Sequence, residues 1–322
     1  MAVNKIQNAA PCIEVRGLKK YYPFKGGKTL RAVDGVDLRI QTGEIFGIVG
    51  ESGCGKSTLG KCMMRLTDIT VGQVLFNGKD ISRQNRKEIM PELRRMQMIF
   101  QNPFSSFNPK LKISYSLAEP CRLKGMRKDE IRTKMDQFLQ YISLSENELN
   151  RFPHELSGGQ LQRLAITRAL LLDPDFIVAD EPVSALDVSV QAQILNLIAD
   201  LKKNFRMTMM FISHDMTVVE HICDKVAVMY LGAVVECGTS TAVFSNILHP
   251  YTKALVSAIP VIDIENEHKE RIILQGDIPT ALNAYEGCRF ASRCAQCQEI
   301  CKKQPPTLRE VEPGHYVAYH CC

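Results

Sequence analysis

The sequence contains no apolar run approaching the roughly 18–20 residues needed to span a bilayer, so it is not expected to cross a membrane by itself. Its opening, Met1 to Cys12, holds one lysine and no apolar stretch, and no secretory signal is expected there. Charge of one sign is also scarce. Forty basic residues stand against 35 acidic ones, a net +5, and the basic residues fall in ones and twos rather than in a patch. Nucleic acid is therefore not an expected partner. There is no internal repeat and no low-complexity tract, and 45% hydrophobic with 23% charged residues excludes wholesale disorder. What remains is a chain of 322 residues, long enough for one large domain or a domain with an appendage.

Period and run length sketch an α/β protein. Ile13 to Val15 and Val33 to Ile40 alternate apolar and polar residues, as half-buried strands do. Glu44 to Gly50 is a short apolar run ending in glycine, the pattern of a strand buried on both faces. A helix is predicted from Ser57 to Leu66 and a strand at Met96 to Phe100. Between Leu111 and Leu149 the pattern turns helical and charged, with Ile131, Met135, Phe138 and Leu139 on one face. Buried runs resume at Phe176 to Ala179 and Met207 to Ile212, with a helix from about Val188 to Phe205 between them. Strands alternating with helices indicate βαβ units and a parallel sheet. The helical block reads as an insertion into it, and the prolines after Leu248, from Pro250 and Pro260 to Pro313, mark a loop-rich extension with little apolar core.

Cysteine is abundant and uneven. Six of twelve, Cys288, Cys294, Cys297, Cys301, Cys321 and Cys322, fall in the last 35 residues. Without a secretory signal a disulfide framework is not expected. A local cluster of this kind reads as a metal or iron–sulfur site, or as reduced thiols.

Three segments carry chemistry. Gly50-Glu51-Ser52-Gly53-Cys54-Gly55-Lys56-Ser57, followed by Thr58, fits a phosphate-binding loop between a predicted strand and a predicted helix. Its backbone N–H groups would converge on phosphate oxygens at a helix N-terminus. Lys56 would neutralise the β and γ phosphates and Ser57 would ligate Mg²⁺. Phe176 to Glu181 is an apolar strand ending in two carboxylates. On its own such a pair is commonly a solvated strand end, but after a phosphate loop it suits Mg²⁺ chemistry: Asp180 holds the ion through water and Glu181 deprotonates an attacking water. Third, Leu156-Ser157-Gly158-Gly159-Gln160 precedes a helix, and three small residues at a helix start expose backbone donors to an anion.

The last segment resembles the signature of the ATP-binding cassette (ABC) ATPases. Three more matches follow that family's order: Gln101 in Phe-Gln-Asn-Pro, Ser184-Ala185-Leu186-Asp187 after the carboxylates, and His214 in Ile-Ser-His-Asp. The resemblance implies a P-loop α/β fold with an inserted helical lobe and an antiparallel β subdomain. Tyr22 takes the place of the aromatic that stacks on adenine, with Tyr21 the alternative. By the same resemblance Gln101 would contact Mg²⁺ or the lytic water, and His214 would bond the γ-phosphate. Ser157, Gly158, Gly159 and Gln160, with Asp187, act in trans on ATP bound to an opposite cassette. One set of motifs therefore implies a second cassette from another chain.

Ala32 to Val36, the Gly50 to Gly60 loop, Phe100 to Pro109 and His249 to Pro260 together resemble the oligopeptide/dipeptide importer ATPases, closest to the second of the two that such importers usually encode. Asn102 departs from the pattern, where Asp is commoner. The resemblance implies a peripheral ATPase on the cytoplasmic face of the inner membrane, paired with a similar or identical subunit. Two permeases and an extracytoplasmic substrate-binding protein would complete the assembly, coupled through the region of Gln101 to Pro109. A nickel importer uses closely similar ATPases and stays open as an alternative, as does a soluble ABC ATPase. The cassette is expected over residues 12–248, with the helical lobe at about 103–170, and the extension over 249–322. The spacing of Cys288, Cys294 and Cys301 resembles the cysteine-rich end of these ATPases, where such cysteines can hold a [4Fe–4S] cluster. The usual Cys-His ending is replaced by Tyr319 before His320, so Cys321 is the candidate fourth ligand, with Cys322 and Cys297 as substitutes and Zn²⁺ as the alternative metal.

Overall fold

The computed structural model describes residues 10–259, 272–276, 279–282 and 286–322. The first nine residues and Pro260, both used in the sequence reading, lie outside that set. The chain divides into two compact units: Met1–Ile40, Glu44–Arg83 and Phe211–Cys322 form the first, Gln41–Gly43 and Gln84–Met210 the second. The described residues of 249–322 fall in the first unit.

The first unit opens with β1 (Ile13–Pro23), β2 (Thr29–Ile40), β3 (Ile45–Val49), α1 (Lys56–Met63), β4 (Val71–Phe76) and β5 (Lys79–Asp80). β1 pairs antiparallel with both β2 and β4, and β4 with β5, giving the order β2-β1-β4-β5. Toward its end β2 alternates buried and exposed residues, the pattern expected of one covered face. All five residues of β3 are buried, as its unbroken apolar run requires.

The second unit contains α2 (Met90–Leu93), β6 (Met96–Ile99), α3 (Ile113–Leu123), α4 (Lys128–Tyr141), α5 (Glu146–Leu149), α6 (Gly158–Leu170), β7 (Phe176–Asp180) and α7 (Val188–Phe205). Ile131, Met135, Phe138 and Leu139 are the buried face of α4, as their spacing predicts. β6 and β7 are parallel, with Met96 opposite Phe176 and Ile99 opposite Ala179. That register sends both strands out at the same edge.

The chain returns to the first unit within β8 (Met209–Ile212), followed by α8 (Met216–Ile222), β9 (Lys225–Tyr230), β10 (Ala233–Thr239), α9 (Ser240–Ser245), α10 (Pro250–Ser257), α11 (Glu299–Lys303), β11 (Arg309–Glu312) and β12 (His315–Val317). β3 and β9 are parallel. β9 pairs antiparallel with β10, β10 with β12, and β12 with β11. The extension is thus better anchored than its prolines suggest. Glu236 of β10, fully buried, accepts the N–H groups of Leu248 (2.8 Å) and His249 (3.1 Å) and pairs with His315 Nε2 at 2.9 Å. One carboxylate therefore ties the start of α10 and strand β12 to the sheet. Phe290, Tyr251 and Tyr230 pack together as a buried aromatic group with ring centroids 4.7–5.6 Å apart.

Candidate nucleotide site

The phosphate loop leaves β3 and enters α1 at Gly55, which has φ +108° and a backbone so close to β2 that a Cβ would sit 2.0 Å from the Ala32 carbonyl. Only glycine fits that turn. Lys56 is 4% exposed, and its ammonium donates to the carbonyls of Gly50 (2.7 Å) and Glu51 (3.0 Å) and lies 3.9 Å from the Cys54 sulfur. Burial pushes the Cys54 thiol up, so this cysteine is a neutral packing residue rather than a thiolate. Ser57 and Thr58, half-buried, open the first turn of α1. Ser52 and Gly53 form the exposed crest. The loop borders a cavity of about 290 Å³ whose lining includes Phe24, Leu30, Glu51, Gly53 and Tyr230.

Two neighbouring motifs lie in the same unit. The Ser213 N–H donates to the Ile48 carbonyl (3.1 Å), bringing the following His214, exposed, to the end of β3 where the phosphate loop begins. Of the two candidate adenine aromatics, Tyr21 donates its hydroxyl to Asp34 and is pushed up to about 12 by burial and that bond. Tyr22 carries the Lys20 ammonium 4.6 Å from its ring centroid.

In the second unit, the shared exit of β6 and β7 brings Gln101 and Glu181 together. Gln101 Nε2 donates to Glu181 Oε2 at 3.1 Å and to Ser184 Oγ at 3.3 Å. Ser184 Oγ in turn donates to the Glu181 carbonyl (3.1 Å). Glu181 has φ +48°, a left-handed conformation that a side chain-bearing residue adopts at a cost in strain. Asp180, the last residue of β7, is 7% exposed. The amide oxygen of Gln101 and the carboxylate of Asp180 in this unit, like the Ser57 hydroxyl in the first, are each hard oxygen donors of the kind Mg²⁺ takes, so the donor chemistry of each residue fits the ion.

The Ser157 segment is a reciprocal helix cap: the Gln160 N–H donates to Ser157 Oγ (3.3 Å) and the Ser157 N–H to Gln160 Oε1 (3.0 Å). Gly158 and Gly159 form the first turn of α6. A Cβ on Gly159 would meet Val190 Cγ1 at 2.4 Å, so packing against α7 also demands glycine there. Asp187 caps α7 through the Val190 N–H (2.9 Å), and a hydrogen bond from Ser189 with that N–H holds its carboxyl below the usual range.

Residues the motifs did not announce also reach the phosphate loop. Arg293 binds Glu51 through both terminal nitrogens, at 2.8 and 3.1 Å, and the Glu51 N–H donates to the Tyr251 hydroxyl at 2.8 Å. Tyr251 lies in the His249 to Pro260 stretch whose pattern was noted above without a contact to explain it.

The cysteine-rich end departs from expectation. Burial holds the Cys288 and Cys294 thiols above their ordinary range, and neighbouring cysteines add to it: Cys301 for both, and Cys297 and Cys321 for Cys294. The thiols therefore crowd one region. Yet among the described residues no group of three or more His, Cys, Asp or Glu is arranged to hold a metal ion. Cys301 is buried, whereas Cys321 and Cys322 are exposed at the chain end. The expected ligand set of Cys288, Cys294, Cys301 and Cys321 is thus met in donor chemistry but not in arrangement.

Residues 33–184 match the ABC transporter family and residues 235–301 the oligopeptide/dipeptide transporter C-terminal region. The oligopeptide transport ATP-binding protein AppF of Bacillus subtilis is 45% identical over 322 residues, covering 97% of this chain and 98% of its own. The dipeptide transport ATP-binding protein DppF of Haemophilus influenzae is 43% identical, covering 98% of each. Among solved structures, cbiO1 of Clostridium perfringens, part of an ABC transporter complex, superposes with TM-score 0.66 at 29% identity, covering 74% of this chain and 92% of its own. A dimeric ATP-binding cassette bound to ADP and phosphate gives 0.64 at 28%, covering 71% and 98%. The chain belongs to the ABC transporter ATPases, in the branch that carries the oligopeptide/dipeptide transporter C-terminal region.

Proposed function

We propose that this chain is the ATP-hydrolysing motor subunit of an importer of dipeptides or oligopeptides. The ATPase half of the reading is carried by Glu181, held by Gln101 at the common exit of two parallel strands, where α/β folds bind ligands. The transport half is supported by full-length relatives named for oligopeptide and dipeptide transport, which favour it over a nickel importer or a soluble ATPase. The cassette is read as residues 12–248, with its helical lobe at about 103–170, and the extension as 249–322.

In the proposed reaction the N–H groups of Gly50 to Thr58 cradle the ATP phosphates, and Lys56 gives up its two carbonyl partners to neutralise them. Tyr22 stacks on adenine. Glu181 takes a proton from water as that water attacks the γ-phosphorus and the bond to the β–γ bridging oxygen breaks, leaving ADP and phosphate. Gln101 orients the water and His214 bonds the γ-phosphate. Mg²⁺, held by Ser57, Gln101 and Asp180, would supply charge neutralisation. Ser157, Gly158, Gly159, Gln160 and Asp187 complete the ATP site of a second cassette, from an identical or a similar chain.

The remaining partners are two membrane permeases and, through them, a substrate-binding protein. The chain would act peripherally at the inner face of the membrane; no helix among the described residues is long and apolar enough to cross one. At the cysteine-rich end the finer reading is a [4Fe–4S] cluster, with Zn²⁺ the alternative, tying the extension. Crowded thiols support it and the present arrangement does not, so no step of the reaction passes through such a group. Uptake of labelled di- and oligopeptides by cells deprived of this chain tests the function. Restoration by the intact chain and not by Glu181→Gln is expected; unimpaired uptake without the chain would refute it.

A further inference from the structure

Glu51 is gripped at three points. Its carboxylate takes a two-pronged bond from Arg293, its N–H donates to Tyr251, and its carbonyl accepts from Lys56. Two of these three partners come from the extension rather than from the cassette motifs. Arg293 is itself firmly held: its side chain is 7% exposed, against 23% for Glu51, and its guanidinium lies 5.9 Å from the Tyr230 ring centroid.

The segment that carries Arg293 is pinned along its length. The Cys288 N–H donates to the Cys301 carbonyl (2.7 Å), and Arg289 binds the Leu231 carbonyl and Asp34 Oδ2, the latter at 2.7 Å. Phe290 is buried edge-on against Tyr230 at 5.3 Å. A short 3₁₀ turn, Ala291–Arg293, then delivers the guanidinium to the loop. A planar fork meeting a carboxylate fixes direction as well as distance, which a single ammonium cannot do.

We propose that Arg293 is a positioning residue for the phosphate-binding loop: anchored by the cysteine-rich segment, it sets the conformation of Glu51 and through it the affinity of the loop for the ATP phosphates. The Glu51 carboxylate sits at the second position of a loop built to receive anions. Paired with Arg293 its charge is compensated and its backbone fixed; unpaired, it repels the phosphates and leaves the loop to rearrange. The extension thereby acts on nucleotide binding without touching the reacting atoms.

The test is a double-mutant cycle on the full chain, reading MgATP affinity by calorimetry, with kcat and KM followed in the assembled ATPase. Arg293→Ala is expected to weaken MgATP binding about tenfold and raise KM, with kcat at saturating ATP within about twofold. Arg293→Lys should recover part of the affinity, and Glu51→Gln with Arg293→Ala should bind no more weakly than the worse single variant. Thermal unfolding of each variant separates this from a general loss of stability. Should Arg293→Ala not fold, Glu51→Gln and Arg293→Lys carry the same comparison. Wild-type affinity in the folded variants, or penalties that add in full, would overturn the proposal.

Discussion

Gln101 and Glu181 lie 80 residues apart in sequence and are joined by a hydrogen bond of 3.1 Å from the amide of one to the carboxylate of the other. The parallel register of β6 and β7 explains the meeting, since Ile99 and Ala179 are paired and each side chain follows two residues later. A carboxylate held in this way is oriented by the amide that donates to it. Gln101→Ala is expected to lower kcat by about 10- to 100-fold with ATP affinity changed less than about twofold. Steady-state ATPase kinetics beside equilibrium nucleotide binding make the check, and an unchanged kcat would remove Gln101 from the reaction.

Lys56 behaves differently, because its ammonium serves the ground state. Buried and bonded to two loop carbonyls, it is the charge available to the phosphates. Lys56→Ala should weaken ATP binding itself by at least about tenfold. Direct nucleotide titration measures this, and normal binding by the variant would count against the phosphate-loop assignment.

A pH dependence of stability follows from His249. The ring is 1% exposed, its Nδ1 accepts the Tyr251 N–H at 3.1 Å, and burial pulls its pKa down to about 3. The folded chain therefore keeps this imidazole neutral where the unfolded chain, with a value near 6.5, binds a proton. Stability from this residue is complete above about pH 6.5 and is lost progressively as pH falls toward 3. Melting temperatures between pH 8 and 5 should fall for the wild type and fall less for His249→Asn, which retains an acceptor. Parallel curves for the two proteins would contradict the assignment.

Iron and acid-labile sulfide settle the cysteine-rich end. Anaerobically purified protein carrying the proposed cluster should be brown, with iron and sulfide near about four each per chain. Colourless protein with about one zinc per chain would replace the cluster by zinc. A folded, metal-free chain would remove both and leave Cys288, Cys294, Cys301 and Cys321 as crowded thiols.

Much of this site could be read from the sequence because it is local. The phosphate loop, the Ser157 cap and α7, expected and found from Val188 to Phe205, are each encoded in a contiguous stretch by glycine placement or helical period. The Gln101–Glu181 bond was not readable, since it depends on which strands pair and in what register. The anchoring of the extension was hidden for the same reason. Glu236 and His315 meet across 79 residues, and neither belongs to a pattern that announces a partner. Prolines after Leu248 suggested a loop-rich extension with little apolar core, but three buried aromatic rings and one buried carboxylate anchor it. Arg293 was passed over because a lone arginine between cysteines has no period and no motif.

The most direct test of the whole account is ATP turnover and association state in Glu181→Gln. The substitution removes the base and leaves the loop of Gly50 to Ser57 untouched. The account predicts ATP binding close to wild type, hydrolysis abolished, and an ATP-bound pair of cassettes accumulating on size-exclusion chromatography. Hydrolysis at the wild-type rate in that variant would contradict it.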